Sequence, residues 1–384
     1  MMIGRALVAV SVLLTVGAAG VPAAGAAEPD KCAPGRGTTS IGESWAQRRF
    51  NLPEAWRLTR GAGVTVAVVD SGLDTGHPQL KQGTAEEVTG TGGRDCFGHG
   101  TEVAGIIAAT PMRGVLFTGV APDVKLISVK HTDDGRGDVK MLALAIVKAV
   151  QLGADVINVS AQASDNPDLR NATAYALAKN VVVVAAAGNV EKDDGSPAPA
   201  YPASYPGVVS VGSAAPDGRR ADSSNPVTPI TVLAPGTGLT STWPGSLYQE
   251  NLEGTSYAAA YVTGVVALVR SRYRDLTNEE VGRRIALTAN GGAGKGTGAG
   301  MINPLLAISA ILHSETVALA PPEPAPLPAD AIRHAPPENA ESIAMATRIA
   351  LISLAAVALV TLGSLTIPLG RSRRWRAGAP DNGT

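Results

Sequence analysis

Three residues far apart in the chain have the side-chain types needed for base-assisted nucleophilic attack: Asp70, His99 and Ser256. Ser256 stands in Gly254-Thr255-Ser256-Tyr257-Ala258-Ala259-Ala260, and no charge follows until Arg270. A glycine turn before a long apolar run predicts a buried helix with the serine at its N-terminus. There the positive end of the helix dipole favours developing negative charge. His99 lies in Phe97-Gly98-His99-Gly100-Thr101-Glu102-Val103-Ala104-Gly105, which reads as the opening of a second, closely packed helix. Asp70 ends Val64-Thr65-Val66-Ala67-Val68-Val69-Asp70, a run predicted as a buried parallel strand. Its carboxylate would lie at the C-terminal edge of a sheet, where α/β folds hold ligands. A hydroxyl is a poor nucleophile until a base removes its proton. An imidazole can take that proton and return it to a leaving amine, while a carboxylate fixes the imidazole tautomer. Taken singly, each residue has a plainer use: Ser256 as a helix N-cap, Asp70 as a turn cap, His99 as a satisfied core histidine. Acid, base and nucleophile in the order Asp, His, Ser is one of the known chain orders for this constellation.

These three segments, in this order, resemble the signature motifs of the subtilisin-like serine proteases (subtilases). A fourth, Val181-Val182-Val183-Val184-Ala185-Ala186-Ala187-Gly188-Asn189, reads as another buried strand. It brings Asn189 to the place where that family keeps its oxyanion-hole side chain. The resemblance implies an α/β, three-layer subtilisin-like fold with a mostly parallel central sheet. It implies a serine endopeptidase that works through an acyl-enzyme on a protein or peptide substrate, with no cofactor and no metal. Gly135-Arg136-Gly137 and Ser160-Ala161-Gln162, together with Gly188, take the positions that line the family's substrate cleft. An extended peptide pairs there with sheet edges. The chain also departs from the pattern. Gln162 stands where many subtilases have glycine, which opens the question of which substrate side chain that wall admits. Glu102 stands where secreted subtilases often have histidine, and Ala260 where the serine helix usually has proline. Ala200 falls near the pocket base, and its small side chain points to a roomy pocket. The stretch Ala108 to Gly114 has Arg113 and no carboxylate, so the calcium loop of many subtilases is not expected.

The remaining pattern supplies the elements that must position these groups. Between His99 and Asn189 the chain alternates a strand over 124–129, a helix over 139–152 and a strand over 155–160. Such alternation implies a parallel sheet covered by helices on both faces. Thr277 and Glu280 fit a capping box that opens a further helix. Gly298 to Pro304 reads as the glycine loop and terminal helix that close the domain.

The chain has 384 residues, ample length for a sizeable core. Arg5, the apolar stretch Ala6 to Ala19 and Ala24-Gly25-Ala26 read as a secretory signal peptide over 1–27. A first membrane helix is the other reading, and the apolar core is short for it. Ile349 to Leu369 is almost wholly apolar and, at 1.5 Å per residue, about 31 Å long, enough to span a bilayer. Arg371, Arg373, Arg374 and Arg376 follow, so the positive-inside rule puts the tail in the cytoplasm. The expected layout is a signal over 1–27, an extension over 28–60 and a protease domain over 61–313. A Pro/Ala-rich stalk over 314–346, a single transmembrane helix over 347–370 and a basic cytoplasmic tail over 371–384 follow. Localisation is then the cell membrane, with the protease domain extracytoplasmic. Setting aside Arg5 and the arginines from Arg348 onward, 26 basic residues face 32 acidic ones outside the membrane, a charge near −6. No basic stripe points to nucleic acid. Cys32 and Cys96 are the two cysteines, and in an exported chain an even pair reads as one disulfide, two separate buried thiols being the alternative. The bond would tie the extension close to His99.

Trp45-Ala46-Gln47-Arg48-Arg49 and Leu58-Thr59-Arg60-Gly61-Ala62-Gly63, with this order of segments, resemble the mycosins more specifically. These are membrane-anchored subtilases associated with actinobacterial type VII secretion. The resemblance implies an extension that wraps the domain, held by a disulfide, instead of plugging the cleft. It implies as partners the components of a type VII secretion membrane complex. Two jobs follow, limited processing of a secreted substrate and a non-catalytic role in steadying the complex. The competing readings are a mainly structural component with little proteolysis and a general cell-surface subtilase.

Overall fold

The computed structural model describes residues 32, 35, 37–135, 137–190, 197–292, 294–312 and 340–372. The expected signal peptide, Arg136, the stalk as far as 339 and the tail from 373 lie outside the described residues. The chain forms two compact units divided after Pro324.

The first unit opens with two short helices, α1 (Trp45–Phe50) and α2 (Leu52–Trp56). The strand β1 (Thr65–Asp70) and the short β2 (Thr84–Glu87) follow, then α3 (His99–Ala108) and β3 (Lys125–Lys130). Next come α4 (Val139–Gln151), β4 (Val156–Val159), α5 (Pro167–Ala178), β5 (Val182–Ala186), β6 (Val209–Ala214) and β7 (Val232–Pro235). A hairpin of β8 (Leu239–Trp243) and β9 (Leu247–Leu252) leads into α6 (Thr255–Arg272). α7 (Asn278–Leu287) and α8 (Pro304–Ser309) close the unit.

Seven strands form one sheet in the order β2-β3-β1-β4-β5-β6-β7, and every pairing in it is parallel. Strands buried on both faces need Val, Ile and Ala at nearly every position, which is what β1, β4 and β5 carry. The chain runs from β1 to the edge strand β2, returns to β3 beside β1, then crosses to β4 on the other side. β1 is therefore the switch point of the sheet, and the carboxyl ends of β1, β4 and β5 face the same crevice.

α6 is the core helix. From Tyr257 to Arg270 every residue is buried, because an all-round apolar helix must be enclosed on all sides. It runs unbroken past Ala260, which is fully buried. The residues before β1 belong to the same core: Ala46, Phe50, Leu52 and Ala55 are buried in it, and the Phe50 ring meets Tyr261 of α6 edge-on at 5.1 Å. Indole nitrogens anchor this segment further, Trp45 donating to the Thr237 carbonyl at 2.8 Å and Trp56 to that of Val120 at 2.9 Å. Thr38 exchanges backbone hydrogen bonds with Tyr248 of β9. A disulfide joins Cys32 to Cys96. At α7 the Thr277 side chain and Glu280 form the reciprocal capping box.

The second unit contains the helix α9 (Ala340–Ser372). Within Glu341–Pro368 an 18-residue window reaches a mean hydropathy of 2.2, none of it is buried, and the length and composition of the stretch suffice to cross a membrane.

Candidate active site

Asp70 is the last residue of β1 and is 4% exposed. Its two carboxylate oxygens lie 2.8 and 3.0 Å from Nδ1 of His99, the first residue of α3. The Ser71 backbone N–H also donates to Oδ1 of Asp70, at 2.7 Å. The approach of α3 to the turn after β1 is close enough that a Cβ at Gly100 would sit 2.2 Å from the Gly72 carbonyl oxygen. Only glycine fits there. A second carboxylate holds this corner together. Oδ1 of the buried Asp95 accepts from the Ser71 hydroxyl and from the N–H groups of Phe97 and Gly98, while Oδ2 accepts from the Thr101 N–H and hydroxyl. Asp95 thereby satisfies donors at the start of α3 that the helix itself leaves open.

Ser256 is the second residue of α6 and lines the same cleft as Asp70. Its hydroxyl donates to the Ser160 carbonyl at 3.3 Å, and the Ser160 hydroxyl donates back to the Ser256 carbonyl at 3.1 Å. Behind them the Asn158 amide donates to the Ser160 hydroxyl at 2.8 Å, and the Thr263 hydroxyl donates to Asn158 Oδ1 at 2.8 Å. Asn189 follows β5. Its Oδ1 accepts from the Thr255 N–H at 2.9 Å and the Thr255 hydroxyl at 3.0 Å. With the oxygen so engaged, the Nδ2 amide is left as the donor, beside Gly254.

Asp70, His99, Gly135, Ser160, Ala161, Gln162, Gly188, Asn189 and Ser256 all line one cleft of about 570 Å³ at the carboxyl ends of the strands. The sequence reading thus picked residues that the fold brings together. Arg136 lies outside the described residues, but Gly137 also lines the cleft. Ala200 lines a neighbouring cavity instead. Among the described residues, none before Asp70 lines this cleft, while Gly35 lines an adjoining cavity with Phe97 and His99.

Burial alone would depress the basicity of His99. The Asp70 carboxylate on its Nδ1 more than reverses this, and the group is raised to about 9. His131, also in the cleft wall, is lowered by burial, against the opposing field of Asp70. Glu102 is 3% exposed and its Oε2 accepts from the Tyr257 hydroxyl at 2.7 Å. Burial pushes the Glu102 carboxyl up to about 7, against the opposing effect of the Tyr257 hydrogen bond. Glu102 therefore titrates near neutrality within the field of His99. The Tyr257 ring centroid lies 5.5 Å from that of His99, and that of Phe97, 46% exposed, lies 6.5 Å from it. Asp95, Phe97, His131 and the Glu102–Tyr257 pair escaped the sequence reading. For Asp95 a signal existed, an acidic residue just before a helix start.

The chain is similar to known proteins in sequence and fold. Residues 61–301 match the model of the subtilase family, which is described as peptidase S8. The chain is 35% identical over 378 residues to Mycosin-4 of Mycobacterium tuberculosis (strain ATCC 25618 / H37Rv), covering 85% of this chain and 81% of that one. It is 39% identical over 250 residues to Subtilisin DY of Bacillus licheniformis, covering 64% of this chain and 90% of the relative. Among solved structures, that of MycP1 from the ESX-1 type VII secretion system superposes with a TM-score of 0.65 at 30% identity, covering 77% of this chain and 94% of that one.

Proposed function

Because this chain belongs to the subtilase family of serine endopeptidases and is related to the mycosins of type VII secretion, we propose that Ser256 is its nucleophile, His99 the general base and Asp70 the group that orients His99. The observation that carries this reading is the pair of contacts from Asp70 to His99 Nδ1, with Ser256 in the same cleft. With Nδ1–H held by Asp70, the proton-accepting lone pair sits on Nε2, the nitrogen turned away from the carboxylate. Rotation of Ser256 about χ1 moves its hydroxyl from the Ser160 carbonyl to that nitrogen, a hydrogen bond that tightens when substrate is bound. The alkoxide formed attacks the scissile carbonyl. The resulting oxyanion takes hydrogen bonds from Asn189 Nδ2 and from the Ser256 N–H, which as a first-turn amide has no partner within the helix. His99 then protonates the leaving amine, and water repeats the sequence on the acyl-enzyme.

The substrate is a protein or peptide bound extended across the ends of β4 and β5. The chain acts outside the membrane, anchored by α9 with the arginines from Arg371 on the cytoplasmic side. Likeness to MycP1 of a type VII secretion system supports service to such a system, both in processing a secreted protein and in contacts with the membrane complex. The test is a fluorophosphonate probe on the full-length chain in membranes, read by intact mass and peptide mapping. Labelling confined to Ser256 and abolished by Ser256→Ala is expected. A wild-type chain that neither labels nor cleaves any peptide would leave only the structural role.

A further inference from the structure

We infer that Gln162 roofs the pocket for the acyl-side residue, the one whose carbonyl is attacked, and so restricts that residue to a small side chain. The inference rests on the peptidase reading above. A carbonyl carbon at Ser256 with its oxygen at Asn189 sends the side chain of its own residue between two walls, Ser160-Ala161-Gln162 and Gly188-Asn189. Gln162 leaves the first wall and closes onto the second. Its Oε1 accepts from the Asn189 backbone N–H at 2.9 Å. The same oxygen lies so near Gly188 that a Cβ built there would be 2.5 Å from it and 3.0 Å from the Ala200 Cβ. Any side chain at 188 would collide with the amide, and its φ of +91° disfavours one as well.

Behind this bridge is a second cavity of about 390 Å³, lined by Ala163, Val190, Pro199, Ala200 and Asn225. Gln162 and Asn189 line both cavities, so the amide stands at the partition between them. The space expected from the small Ala200 exists, but its entrance is crossed. A methyl or hydroxymethyl group fits in front of the amide. A ring or a branched chain enters only by breaking the hydrogen bond to Asn189, on the residue whose side chain serves the oxyanion. A bulky acyl-side residue is thereby penalised in turnover as well as in binding. A glycine at 162 would remove the partition and join the two spaces.

The experiment uses the full-length chain in detergent and peptides identical except for Ala, Ser, Leu or Phe at the acyl-side position. Wild type is expected to favour Ala and Ser over Phe by about tenfold or more in kcat/KM, and Gln162→Gly to erase most of that preference by gaining on Phe. Gln162→Ala, which also lacks the reach to Asn189, repeats the test should the glycine variant unfold. Peptidyl phosphonates with Ala or Phe at that position, read as mass added at Ser256, give the same comparison without turnover. Equal use of Ala and Phe by wild type, or an unchanged preference in active Gln162 variants, overturns the role of Gln162 alone. Absence of both cleavage and labelling in every form overturns the peptidase reading, and this inference with it.

Discussion

Ser160 and Ser256, 96 residues apart, exchange hydrogen bonds across the cleft, each hydroxyl donating to the other's backbone carbonyl. With Asn158 and Thr263 behind them, they lock the end of β4 to the first turn of α6. The cleft wall at Ser160 and the helix that carries the proposed nucleophile are therefore joined into one piece. Ser256→Ala removes only one of these bonds, so the variant should keep its unfolding free energy within about 1 kcal/mol of wild type while losing roughly 10⁶ in kcat. Thermal melting beside peptide turnover checks both halves; an unfolded variant would reassign Ser256 to structure.

Asn189→Ala should lower kcat by about 10²–10³ with little change in KM, a magnitude measured for the equivalent donor in a subtilisin. Steady-state kinetics on one good peptide decides it. A loss borne wholly by KM would mean that Asn189 binds the ground state instead.

His99 must be neutral to accept a proton, and Asp70 raises it above its ordinary 6.5, to about 9. Activity should therefore climb on the alkaline side of pH 6.5. The stability this contact supplies is full below the unfolded-state value of 6.5 and is lost as pH rises through the folded value. Asp70→Asn should move the ascending limb of kcat/KM to lower pH and reduce the plateau by about 10⁴. A pH–rate profile that does not move on this substitution would remove Asp70 from its role.

Glu102 has the opposite chemical sense and the same linkage sign. Its carboxyl is raised from 4.5 to about 7, so its contribution to stability is greatest below pH 4.5 and falls as pH rises through 7. Glu102→Gln retains an acceptor for the Tyr257 hydroxyl. It should melt at or above the wild-type temperature at pH 8 and show no such advantage at pH 4.5. Removing the charge should also shift the ascending limb of the rate profile to lower pH without changing the plateau. Melting curves at the two pH values, with a pH–rate series, test this; a collapse in plateau rate would make Glu102 part of the chemistry.

Loss of the Cys32–Cys96 bond frees a loop spanning a sequence separation of 64 residues. Chain entropy alone assigns such a crosslink about 4 kcal/mol at most, which for a domain of this size lowers the melting temperature by roughly 5–10 °C. The double substitution Cys32→Ser with Cys96→Ser should show this drop under non-reducing conditions. An unchanged midpoint would mean the helices α1 and α2 hold the segment without it.

Much of this architecture was legible because its signals are local. Val64 to Asp70 and Val181 to Asn189 announce buried parallel strands by composition, and the glycines around His99 and before Ser256 mark where helices begin. What stayed hidden is settled by partners far away in sequence. Thr242 and Ser241 look like surface residues, yet each hydroxyl is buried and donates to an α3 carbonyl, those of Thr101 and Glu102. Phe50 shows no periodic pattern that would bring it to Tyr261, and β2 is a polar Thr-Ala-Glu-Glu edge with no strand signal. The identity of Gln162 was visible as a departure, but its direction across Gly188 depends on where β5 ends.

The burial of α6 has a consequence for how the protein ages. From Tyr257 to Arg270 the helix behind the proposed nucleophile is buried, so its backbone amides should exchange with solvent only when the domain opens as a unit. The proposed nucleophile and the buried core thus share one helix. On heating, activity should therefore be lost together with the fold, and its half-life should be that of the folded domain.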